Sequence, residues 1–255
     1  MTRKSPICRH LNSRNPELHP DRFRLFILVY FSLTGILLVT MWALLSNSII
    51  PIDAISLSSS GTSVRALYLA SFFHKEPVHL LVNILMFSLL GIWLIIQTRI
   101  FRKLNIRSYL YPVIACLLFI TILPISISSA LLILPMLHLE NIAGFSGIIC
   151  AVFGMICVMI SCAVWKKFES IRVLTGTLLY STAVYLLLPF AEIQNASAAI
   201  PNAAHRIGFL YGVIITWLIG AALTTPAKKR VYLYLILLVA IFLLPILLLG
   251  ITLLT

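Results

Sequence analysis

Ser146 lies in Gly144-Phe145-Ser146-Gly147, where flanking glycines let backbone approach closely and leave the hydroxyl uncrowded, as a nucleophile requires. His205 opens an apolar run beside a ridge of small residues, Ala204, Gly208 and Gly212, at spacings of four. An imidazole placed there is a candidate to accept a hydroxyl proton. His79 and Asn83 stand four residues apart, on one face if helical, and both can donate to a developing oxyanion. Each feature alone has a quieter reading. Gly-x-Ser-Gly is also a small-residue packing site, and it departs from the soluble hydrolase elbow because Ile148 stands where that elbow has glycine. His205 alone can be an interfacial histidine satisfied by water. His79 and Asn83 can be a polar patch bonding a neighbouring helix. As a metal pair they lack a nearby carboxylate or thiolate, so no metal or other cofactor is expected.

The elements that must position these residues follow from composition. The chain has 255 residues, of which 61% are hydrophobic, with only 19 Lys and Arg and 7 Asp and Glu. Mean hydropathy is +1.07. Soluble domains carry charge at roughly a quarter of their positions, so this is an all-α polytopic membrane protein and not a water-soluble globule. Apolar stretches run at about Phe23 to Leu45, His79 to Ile96, Tyr109 to Leu134, Gly144 to Val164, Val173 to Phe190, Ala203 to Leu223 and Val231 to Thr255. Residues 1–22 form a basic polar tail, residues 23–223 six spans with a long outer loop at 46–78, and residues 224–255 a basic linker and a seventh span. The first run is too long for a cleaved signal segment. The loop stretch Val64 to Phe73 either lies in the membrane interface or packs on its own helices. Pro124, Pro135, Pro189, Pro201 and Pro245 mark kinks or ends. The five cysteines form no disulfide or metal pattern.

Charge then orients the spans. Sixteen of the 19 basic residues fall in the tail and in alternate connections: Arg99 to Arg107, Lys166 to Arg172 and Lys228 to Arg230. The positive-inside bias puts the N-terminus in the cytoplasm and the C-terminus outside. The surplus of +12 is thus a record of topology, and no nucleic-acid partner is expected. The second, fourth and sixth spans all run from outside to inside, so His79, Asn83, Ser146 and His205 share one outer level. Nucleophile, base and oxyanion donors at one depth are the parts of acyl transfer. No Asp or Glu lies within the seven apolar runs, which favours a Ser146–His205 dyad over a triad.

At these positions the chain resembles the rhomboid intramembrane serine proteases, from about Phe73 to Gly212. The resemblance rests on H-x-x-x-x-H-x-x-x-N from His74 to Asn83, G-x-S-G from Gly144 to Gly147, and A-H-x-x-G-x-x-x-G from Ala204 to Gly212. It implies a six-helix bundle plus one additional C-terminal helix, Ser146 as nucleophile and His205 as general base. His79, Asn83 and the Ser146 backbone N–H would form the oxyanion hole, with His74, Gly144, Gly147, Gly208 and Gly212 in support. Gly91 and Gly154 also fall where rhomboids often carry glycine. Cys150 stands where many members place an aromatic residue, Val64-Arg65 is the nearest match to their Trp-Arg pair, and Gln97 lies near a position often acidic.

The expected activity is endoproteolysis of transmembrane or membrane-proximal segments, with the lipid bilayer as the other partner. Helix-bonded peptide bonds resist attack, so segments with small or helix-breaking residues are the expected substrates. The stretch Ala191 to Asn202 is an expected lid. A bacterial inner membrane is the expected location, where Asn195-Ala196-Ser197 would carry no glycan. Two other classes compete: a rhomboid-like protein that binds transmembrane segments without cutting, and a small-solute carrier using His74, His79 and His205. The intact Ser146 and His205 argue against the first. The lack of an inverted repeat argues against the second.

Overall fold

The computed structural model describes residues 20–47, 49, 68–72, 74, 77–104, 110–133, 145–170, 175–177, 179–180, 183, 199–224, 234, 236–241 and 243. Among them there is no strand. The helices are α1 (Pro20–Ser46), α2 (Pro77–Lys103), α3 (Leu110–Thr121), α4 (Leu123–Ile133), α5 (Ser146–Phe168) and α6 (Ala199–Thr224), with a single 3-10 turn at Ala70–Phe72 before α2. Further helical residues occur at 175–177, 179–180, 183, 234, 236–241 and 243, within the fifth and seventh apolar stretches. Among the described residues four segments are long and apolar enough to cross a bilayer: α1, α2, α5 and His205–Leu223 of α6. The chain is therefore an all-helical integral membrane protein. Most of the outer loop, residues 134–144 with His138, Glu140 and Gly144, and residues 191–198 of the expected lid lie outside the described residues.

Helix ends follow local chemistry. Pro77 opens α2, where its missing N–H costs nothing, and Arg102 and Lys103 close it against the negative end of the helix dipole. Lys166 and Lys167 do the same for α5, which ends at Glu169 in the left-handed region (φ 47°) with its N–H on the Trp165 carbonyl. The third apolar stretch departs from the single span expected. It breaks at Ile122 into α3 and α4, two residues before Pro124. Pro124 has no N–H to give the Ile120 carbonyl, and its ring crowds that turn. Around the break the ladder continues through Ile122 N–H to Leu118 and Ser126 N–H to Ile122. Residues 199–202, expected in the lid, are already the first turn of α6, where Pro201 is tolerated.

α5 is the innermost helix: 67% of its apolar window is buried, against 28% for α1 and α2. Its main partner is α6, and α1 packs on α2. The α5–α6 seam is closed by glycine. A Cβ on Gly208 would stand 2.9 Å from the Gly147 carbonyl carbon, one on Gly212 2.7 Å from that of Ala151, and one on Gly154 3.0 Å from the Val213 nitrogen. Backbone meets backbone there, as in close membrane helix pairs. Gly91 instead makes room for the Phe31 ring, 2.8 Å from its would-be Cβ. The described residues 236–241 reach this bundle through the Ile241 carbonyl, which accepts from Ser126 Oγ and Tyr211 OH, each at 3.4 Å.

Candidate active site

Ser146 is the first residue of α5, and Phe145 before it is the N-cap residue. Phe145 offers no side-chain cap. Its carbonyl accepts from the N–H groups of Ile148 (3.0 Å) and Ile149 (3.2 Å). A polar cap would compete for the first amides of the helix, whereas an apolar one leaves the Ser146 and Gly147 N–H groups for another acceptor. Phe145 is fully buried. Its ring meets Phe87 of α2 edge-on at 5.0 Å and Phe72 of the 3-10 turn at 5.6 Å. The residue beside the hydroxyl is thus anchored by aromatic packing between two other elements.

His205 comes from α6 and is 8% exposed. Its Nε2 lies 2.6 Å from Ser146 Oγ. The Ser146 O–H donates to that nitrogen when it is the unprotonated one, which is the arrangement a general base needs. Gly208, one turn further along, lies against Gly147, so one of the backbone-to-backbone approaches of the seam falls next to the two functional side chains. No ionised partner is needed for this contact. Cys150, one turn after Ser146, is buried with Cys157 against Phe209, and Phe209 meets Phe153 at 5.7 Å.

The second cluster is built on Asn83 and His74. Asn83 is 4% exposed, and its side-chain amide bonds His74 Nε2 at 2.7 Å. His74 is itself 2% exposed, with Nδ1 3.2 Å from the Phe72 carbonyl. A carbonyl only accepts, so Nδ1 carries the proton and Nε2 accepts from the Asn83 NH2. One amide hydrogen of Asn83 is thereby fixed, and its second is free to donate elsewhere. Burial, and then the nearby His79, lower the His74 pKa to about 4, against an upward pull from the Phe72 carbonyl. His79 is exposed, and its ring stands edge-on to His74 at 5.2 Å. The fixed neighbour of Asn83 is therefore His74, nine residues upstream. Helical periodicity offered no sign of this, because His74 precedes the start of α2.

Gln97 is buried with both amide atoms lacking a partner, but it lies fourteen residues beyond Asn83, about 20 Å along α2, and takes no part in the site. Among the described residues no group of His, Cys, Asp and Glu is arranged to hold a metal.

A family model, Rhomboid domain, matches residues 61–222. No curated protein and no solved structure matches the chain at a significant level.

Proposed function

The chain belongs to the rhomboid family, and on that footing we propose that it is an intramembrane serine endopeptidase working through a Ser146–His205 dyad. The observation that carries this reading is the 2.6 Å contact between Ser146 Oγ and His205 Nε2, made between helices that glycine lets touch. Ser146 Oγ attacks the scissile carbonyl while His205 Nε2 takes its proton. The tetrahedral oxyanion draws on the Ser146 backbone N–H and the free hydrogen of Asn83, with exposed His79 as a further donor on the substrate side. His205 returns the proton to the leaving amine, an acyl ester remains on Ser146, and water deprotonated by His205 hydrolyses it. Preorganised donors in a poorly hydrated site make the largest contribution to such a reaction, roughly 3 kcal/mol for each good one.

In this reading the protein has a basic cytoplasmic tail at 1–22, a six-span catalytic bundle at 23–223 and a seventh span within 224–255, in a bacterial inner membrane with the site toward the outer surface. The substrates are transmembrane or membrane-proximal segments that unwind readily. The test is incubation of the purified protein with single-span substrates beside Ser146→Ala and His205→Ala variants. Cleavage by the parent alone, with fluorophosphonate labelling at Ser146, is expected. Equal cleavage by Ser146→Ala would overturn the mechanism. A folded parent that neither cleaves nor labels would make the protein a binder of membrane segments.

A further inference from the structure

A groove of about 500 Å³ runs between α1 and α2, lined by neither α5 nor α6, and it plays no part in the chemistry above. It extends from Ile27 to Thr40 on α1 and from Ile84 to Ile95 on α2. The thirteen steps from Ile27 to Thr40 rise about 20 Å, more than the roughly 15 Å of hydrocarbon in one leaflet. The walls are apolar. Ser88, among the few polar residues there, spends its hydroxyl on the Ile84 carbonyl at 2.7 Å. The groove exists because Gly35 leaves space: a Cβ at that position would meet nothing within 4 Å.

One end of this groove is strongly basic. On α1, Arg24 lies one turn before Leu28. On α2, Arg99 and Arg102 lie one and two turns beyond Ile95, so helical register continues the groove into a guanidinium cluster. Arg24 crosses between the helices, its Nε donating to Thr98 Oγ at 3.0 Å. Asp21 is the acidic residue described there, 3.5 Å from Arg24 and 3.4 Å from Arg102. Arg22, Arg24, Arg99, Arg102 and Lys103 outnumber it, leaving this end positive. The opposite end, near Thr40 and Ile84, has no charged lining residue.

From this pairing of an acyl-length groove with a cationic end, we propose that α1 and α2 form a binding site for one anionic phospholipid. An acyl chain lies along Gly35 and Ser88, and the phosphate sits among Arg24, Arg99 and Arg102. Bidentate guanidinium contacts favour phosphate, and each cation near a charged bilayer surface adds attraction that a zwitterionic lipid does not share.

The test is native mass spectrometry of the full chain released from nanodiscs holding equal parts phosphatidylglycerol and phosphatidylcholine, with lipid-dependent thermal stability alongside. One retained phosphatidylglycerol per chain is expected. The Arg99→Gln/Arg102→Gln variant should lose about tenfold or more in its retention. Gly35→Leu, whose side chain enters open space, should displace the acyl chain while leaving the fold and fluorophosphonate labelling of Ser146 unchanged. Equal retention of the two lipids, or phosphatidylglycerol retention indifferent to both variants, would overturn the proposal. So would a dimer in the parent that Gly35→Leu abolishes, since the groove would then be a self-association face.

Discussion

Gly208→Ala tests whether the α5–α6 seam sets the geometry of the proposed dyad. The added Cβ would lie 2.9 Å from the Gly147 carbonyl carbon and 3.1 Å from its Cα, with the carbonyl oxygen nearer still. Ordinary contact begins at 3.4 Å, and these are backbone atoms that cannot swing aside. The helices must separate by at least about 0.5 Å at a point one residue from Ser146 and one turn from His205. The 2.6 Å contact between Oγ and Nε2 has no slack to absorb that. A misplacement of about 1 Å costs on the order of a hundredfold in rate, so a loss of roughly ten- to a hundredfold is expected. Stability should change less, because overpacking costs about 1–3 kcal/mol while replacing a helical glycine returns up to about 1. The assay is the second-order rate of fluorophosphonate labelling at Ser146, with thermal unfolding of the same samples. Gly220→Ala is the control, since nothing lies within 4 Å of its Cβ. Labelling of Gly208→Ala at the parent rate, or an equal loss in Gly220→Ala, would refute the reasoning.

Asn83→Ala should lower the cleavage rate by about a hundredfold or more through the lost oxyanion donor. It should also cost roughly 1–3 kcal/mol in unfolding, because His74 Nε2 is left buried without its partner. For His74 the sign follows from its pKa of about 4, lowered chiefly by burial from an ordinary 6.5. The fold holds it neutral, so its contribution to stability is complete above pH 6.5, falls as pH drops toward 4, and is level below that. Melting temperature measured across this window should decline in the parent and decline less in His74→Gln, which keeps an acceptor for Asn83. Asp21→Asn should shift unfolding by less than about 1 kcal/mol, because its ion pairs with Arg24 and Arg102 are solvent-exposed.

Much of this was legible in the residue string because a membrane makes polarity conspicuous. Ser146 and His205 stand out for being polar in apolar runs, and alternation of basic loops already put them at one expected level. Span positions came within about four residues for α1, α5 and α6, since apolar length is a direct requirement of the bilayer, while α2 runs seven residues past its expected end, to Lys103. The break between α3 and α4 was marked by Pro124 but its sharpness was not, because proline in a membrane helix either bends or ends it according to neighbouring packing.

What the sequence by itself determined is the class of protein, the places of four membrane-crossing helices and the polar residues able to do chemistry. Those depend on composition, local spacing and the cost of burying charge. Tertiary structure alone decided which of them meet. The 2.6 Å approach of Ser146 to His205 joins residues 59 apart and depends on Gly208 and Gly212 lying against Gly147 and Ala151. The choice of His74 as the partner of Asn83, with His79 left exposed, likewise depends on how the 3-10 turn ends at Phe72 and brings His74 against Asn83 of α2. A motif records that both histidines are present, but the carbonyl of Phe72, which orients the ring of His74, is a backbone group carried by every residue type and leaves no trace in sequence.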